Sequence, residues 1–142
     1  MKILLAVDGS KHSLAAADFL IKRAGWARDA LEVELVTVHL PVPAVGRMGV
    51  GPSKANLQKY YTEEGEAMLA PAKKKLAAAK IAHQAKVLVG PIAETMVKHA
   101  NAAGCDMICI GTRGMTAAAN VLLGSTATKV LHLSAIPVLV VK

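Results

Sequence analysis

Two clusters of glycine and small hydroxyl residues near the C-terminus have the types and spacing to hold an anion. The first is Gly111-Thr112-Arg113-Gly114, and nine residues later comes Gly124-Ser125-Thr126. An apolar run, Met107-Ile108-Cys109-Ile110, precedes them, and an apolar-periodic run to about Leu133 follows. The pattern predicts strand, glycine loop, helix. Glycine has no Cβ, so backbone there can approach a ligand closely. A helix start presents unpaired N–H groups and the positive end of aligned peptide dipoles. Together these form a phosphate pocket. A strand-end turn at Gly111 and a helix cap at Gly124-Ser125 would leave the same trace, but the strand-to-helix context favours phosphate. The loop is not a Walker A sequence, which puts a lysine directly before its Ser/Thr; here Gly124 precedes Ser125. Arg113 and Lys129 are the nearest cations.

The elements that must position this loop are legible as alternating patterns. Apolar runs at 2–7, 33–40, 85–89, 107–110 and 137–141 are mostly continuous rather than alternating, as in strands covered on both faces. Helical patterns fill 11–28, 54–80, 92–103 and the stretch from 124 to before Pro137. Their inward residues read as Leu14, Ala17, Ile21 and Ala24, then Leu57, Tyr61, Met68, Ala72 and Leu76, then Met96, Val97 and Ala100. Ser10 suits an N-cap, Gly104 a helix stop, and Pro71 a kink or break. The order β-α-β-α-β-α-β-α-β predicts an α/β fold, one domain over 1–142, with a doubly wound parallel sheet. In such sheets ligands sit beyond the strands' carboxyl ends. If the first and fourth strands are neighbours, Asp8 and Gly111 face one crevice. The Pro- and Gly-rich stretch 41–53 is either a lid over that crevice or a plain surface connection. Met107 and Cys109 should point to one sheet face, Ile108 and Ile110 to the other.

Composition narrows the function classes. The chain has 142 residues, 54% hydrophobic and 3% aromatic, with formal net charge +7. A basic balance fits nucleic acid, membrane surfaces or small anions. Nucleic-acid binding would call for cations interleaved with stacking aromatics. The densest run, Lys73-Lys74-Lys75, has no aromatic neighbour and reads as a solvated helix face. No signal peptide is visible and no apolar stretch approaches the roughly 20 residues of a membrane span, so no membrane is expected, and the missing aromatics argue against nucleic acid. Cys105 and Cys109 would stand about 13 Å apart in an extended segment, too far for a disulfide, which suits buried thiols in a reducing, cytoplasmic setting. The five histidines show no paired metal spacing.

Three sequence features resemble the universal stress protein family, and the likeness covers essentially the whole chain. The first strand ends in Val7-Asp8-Gly9-Ser10, the third in Gly90-Pro91, and the loop reads Gly-x2-Gly-x9-Gly-Ser at Gly111, Gly114, Gly124 and Ser125. The last is that family's ATP-binding signature. The resemblance implies an adenine nucleotide alpha-hydrolase-like, Rossmann-like sandwich with a five-stranded sheet in order 3-2-1-4-5. It implies ATP at the sheet's C-terminal edge and a homodimer through the last strand. Asp8 would lie near ribose and phosphate, sometimes through a metal, and Val7 before it would be a further nucleotide-binding residue. Gly111, Arg113, Gly114, Gly124, Ser125 and Thr126 would contact ribose and phosphates, and His39-Leu40 would lie beside adenine. Asp8 would repel bare phosphate, and a Mg²⁺ between them would remove the conflict. Asp8 could equally cap the first helix, Ser125 and Thr126 could be ordinary caps, and Arg113 a solvated arginine.

The final segment 137–142 is apolar up to Lys142, and an edge strand of that kind invites pairing with its own copy across a two-fold axis. Catalysis is poorly supported: the sequence offers no paired carboxylates, no nucleophile elbow and no Cys/His pairing. A response-regulator receiver shares the fold, but needs an acidic pair near Asp8 and a late lysine before a proline, and both are missing. The preferred reading is a dimeric, cytoplasmic ATP-binding module whose nucleotide state is read by a regulatory partner protein. The alternatives are an interaction module without nucleotide, or a slow ATPase.

Overall fold

Runs of Val, Ile and Leu become five parallel strands because helices cover both sides of them. The computed structural model describes residues 1–27, 30–42, 52–114 and 122–142. Along the chain come β1 (Lys2–Ala6), α1 (Lys11–Lys22), β2 (Glu32–His39), α2 (Lys54–Ala78), β3 (Ala82–Val89), α3 (Ile92–Ala102), β4 (Met107–Gly111), α4 (Ser125–Leu133) and β5 (Val138–Val141). A short 3-10 turn, Ala24–Trp26, follows α1. The sheet order is β3-β2-β1-β4-β5, as the resemblance implies. Central β1 pairs with β2 (Ile3 opposite Val33) and with β4 (Leu4 opposite Ile108), so strand order reverses between β1 and β4. That reversal opens a crevice at their carboxyl ends. The 41–53 reading falls mostly on 43–51, which lie outside the described residues.

Side-chain alternation divides the core in two. Ile3, Leu5, Val33, Leu35 and Cys109 pack with Ala16, Ala17 and Leu20 of α1 and with Leu69, Ala72 and Leu76 of α2. Leu4, Ala6, Val36, Ile108 and Ile110 pack with Met96, Val97 and Ala100 of α3 and with Ala127 and Val130 of α4. The predicted alternation of β4 therefore holds. Both cysteines are free and buried. Burial pushes the Cys109 thiol up to about 12 and raises that of Cys105, so neither is a thiolate nucleophile near neutral pH.

Three expectations need correction. The buried stripe of α1 is Ser13, Ala16, Ala17 and Leu20, displaced from the Leu14–Ile21 face. Small residues let α1 sit close to β4: a Cβ on Gly111 would lie 2.7 Å from backbone atoms of His12. Helix α2 runs unbroken through Pro71. The carbonyl that Pro71 leaves without a donor belongs to exposed Ala67, where water can satisfy it. Strand β3 begins at Ala82 rather than 85 and alternates in burial, because it is the sheet's edge. Gly104 ends α3 with φ +65°, as expected, but Lys80 takes φ +56° just after α2. A side chain in that region costs about 1 kcal/mol, so Lys80→Gly should raise unfolding stability by about that amount in a urea titration.

Among the described residues, one charged side chain is buried inside this apolar frame. Glu34 on β2 is 1% exposed and receives His99 Nε2 at 2.9 Å, Lys86 Nζ at 3.3 Å and Lys2 Nζ at 3.5 Å. Burial alone would push its carboxyl up. The His99 hydrogen bond, then Lys86, then the charge of Lys2 outweigh it and hold the carboxyl below its ordinary value. An ionised carboxylate only accepts, so His99 Nε2 carries the proton in this bond.

Candidate functional site

At the carboxyl ends of β1 and β4 lies a cavity of about 370 Å³. That volume falls in the range of small-ligand sites. Part of its lining is apolar: Ala6, Val38, Ile92, Met96, Ile110 and Ala127. Its other part is polar, with Asp8, Ser13, Thr112 and Arg113 beside Gly114, Gly124, Ser125 and Thr126. Such a lining can take both an apolar ring and an anion.

Asp8 is held by a tight turn. Its Oδ1 accepts the Ser10 N–H at 3.0 Å, and Gly9 between them has φ +79°. Ser10 then caps α1, its hydroxyl accepting the Ser13 N–H at 3.2 Å. This cap serves the Ser13 N–H of the first turn. The start of α4 differs. Its N-cap is Gly124, which makes no side-chain cap. The Gly124 N–H donates to the Thr112 carbonyl at 2.7 Å, fixing the helix start to the end of β4. Ser125, Thr126 and Ala127 occupy the first turn, where backbone N–H groups have no intrahelical acceptor, and all three line the cavity. The cap role considered for Ser125 and Thr126 thus falls to Gly124. α3 also starts without a side-chain cap, at Pro91, and its Ile92 lines the cavity.

Each glycine has a distinct job. Gly111 makes room for the backbone of α1. A Cβ on Gly114 would lie 2.7 Å from Asp8 Oδ2, so the carboxylate sits directly on the loop. A Cβ on Gly124 would be 3.4 Å from the Thr112 carbonyl oxygen. Asp8 is the one carboxylate among the described lining residues, and no cluster of three metal-ligating side chains occurs among the described residues. A Mg²⁺ would therefore take Asp8 as a single protein ligand and draw its other oxygens from phosphate and water, which is how this hard cation is usually held.

Of the residues picked from sequence, Val7, Asp8, Gly111, Arg113, Gly114, Gly124, Ser125 and Thr126 all line the cavity. His39 and Leu40 do not. From β2 it is Val38 that lines the wall. The His39 ring instead stands 5.7 Å from that of Tyr61, its Nε2 is buried without a hydrogen-bond partner among the described residues, and Leu40 is 62% exposed. Lys129 pairs with Glu94 of α3 at 2.5 Å and does not line the cavity. That bond lowers the Glu94 carboxyl below its ordinary value. Ile92 and Met96 are absent from the sequence-based site, although Met96 reads as inward. What sequence lacked was the packing of the α3 start over the strand ends. Thr112 was also missed: its buried hydroxyl has no partner among the described residues.

The profile of the universal stress protein family matches residues 1–142. Universal stress protein MJ0531 of Methanocaldococcus jannaschii is 36% identical over 141 residues, covering 99% of this chain and 81% of that protein. A universal stress protein of Mycolicibacterium smegmatis is 31% identical over 98% of this chain, which spans 47% of that longer protein. The solved structure of protein MJ0577 superposes with TM-score 0.82 at 30% identity, covering 99% of this chain and 94% of that one. A universal stress protein of Archaeoglobus fulgidus in complex with dAMP has the same fold, with TM-score 0.67 at 22% identity, covering 100% of this chain and 98% of that one.

Proposed function

Because this chain belongs to the universal stress protein family, we propose that its cavity receives ATP and that the protein is a nucleotide-dependent regulatory module. One observation carries the reading: the uncapped first turn of α4, the Gly114 loop and Asp8 line one cavity together with a set of apolar side chains. The purine ring lies against Val38, Met96 and Ile110, and the phosphates meet the N–H groups of Ser125 and Thr126. Arg113 adds charge beside them. A Mg²⁺ on Asp8 bridges to the phosphate oxygens. The dAMP complex of the Archaeoglobus fulgidus relative supports an adenine nucleotide as the ligand class. Calorimetry with Mg²⁺ and ATP should give a micromolar dissociation constant, about −8 kcal/mol. No heat and no thermal shift at millimolar ATP would refute it.

The protein acts as a homodimer through the segment 137–142. β5 lies at the sheet edge, and α4, packed beside it, exposes Leu131 and Leu133. An apolar edge strand is a template for another chain, and a second copy covers it. Light scattering should return twice the 14.8 kDa chain mass, and Val140→Lys should reduce it to a monomer. A wild-type monomer would contradict the dimer and leave the nucleotide reading standing.

A further inference from the structure

We infer that His99, outside the cavity, is a positioning residue for the nucleotide site, acting through helix α3. The inference rests on the reading of that cavity as an ATP site. Ile92, Met96 and His99 stand at i, i+4 and i+7, so they share one face of α3. The first two form the apolar wall of the cavity. The third donates to Glu34 at 2.9 Å, with side chains 15% and 1% exposed. His99 lies only about 10 Å along the helix axis from Ile92. Rotation of α3 about its axis therefore moves the wall and the polar contact together.

The other polar ties of α3 are weaker guides. Glu94–Lys129 joins it to α4 through two exposed side chains, and such pairs contribute little. Lys2 Nζ donates to the Ala103 carbonyl at 3.1 Å, beyond the helix end. Apolar contacts of Ala93, Val97 and Ala100 hold α3 down but do not fix its rotation as a directional hydrogen bond does. Glu34 is itself fixed from β1 and β3 by Lys2 and Lys86, so α3 takes its rotational setting from a rigid node in the sheet.

The test compares His99→Ala, His99→Gln, which keeps an N–H donor, and Leu76→Val, which loosens the core on the opposite sheet face. Two readouts are taken well below the unfolding temperature: calorimetric affinity for ATP with Mg²⁺, and the NMR position of the Met96 methyl group, assigned with Met96→Leu. His99→Ala should weaken ATP binding about fivefold and shift the Met96 methyl. His99→Gln should restore both towards wild type, and Leu76→Val should move neither. An unmoved Met96 methyl in His99→Ala, or an equal movement in Leu76→Val, overturns the inference. Failure of wild type to bind ATP overturns the preceding proposal instead, and the methyl readout then decides only whether His99 sets the position of Met96 in the cavity wall.

Discussion

Gly114→Val should lower ATP affinity about a hundredfold, roughly 3 kcal/mol, while leaving the fold intact. The geometry separates the two effects. A Cβ on Gly114 would stand 2.7 Å from Asp8 Oδ2, closer than real atoms sit. The clashing atom is the tip of a side chain, so the carboxylate can swing away at little cost in stability. Doing so breaks its bond to the Ser10 N–H and displaces the group that faces the phosphate site. Binding is lost, while unfolding free energy falls by only about 1 kcal/mol, the worth of that hydrogen bond. Gly111→Val is the contrast: its Cβ meets His12 backbone at 2.7 Å, which cannot swing away. That variant should lose stability as well as binding. Calorimetry and denaturant titration on the two proteins distinguish these outcomes, and unchanged affinity in Gly114→Val would exclude this loop as the phosphate site.

Glu34→Ala should destabilise the fold by about 3 kcal/mol. Glu34 is 1% exposed and is the acceptor for three cationic or imidazole groups. Removing it leaves His99, the most enclosed of the three, without its partner. Lys2 and Lys86 are 29% and 47% exposed and can turn to water, which keeps the loss at the low end for a broken buried pair. Glu34→Leu should recover part of the loss, because an apolar side chain needs no partner. The acid limb follows from the same group. Its folded value is depressed, so its contribution is fully present above the ordinary carboxylate range and is lost as pH falls through the lowered value. Glu34→Gln should flatten that part of the stability profile, and an unchanged acid limb would assign it to other carboxylates.

The glycine loop and the sheet were legible because both rest on local pattern. Continuous apolar runs such as Leu4-Leu5-Ala6 and Ile108-Cys109-Ile110 mark strands covered on both faces, and Gly111 and Gly114 after the second stand where a side chain would clash. β3 was harder: as an edge strand it alternates, so its first three residues, Ala82, His83 and Gln84, carry no apolar signal. Pro71 promised a break that burial of Leu69, Ala72 and Leu76 on either side overrides. Val38 rather than His39 lines the wall because alternation sets which β2 side chain faces α3, and the strand's exact register was not readable. Glu34 and His99 lie 65 positions apart, and only the packing of α3 on the sheet brings them together.

A crystal structure grown with Mg²⁺ and ATP should show phosphate density within hydrogen-bond reach of the Ser125 and Thr126 backbone N–H groups, with the purine between Val38 and Met96. Density for nucleotide elsewhere, with this cavity holding solvent alone at saturating ATP, would contradict it.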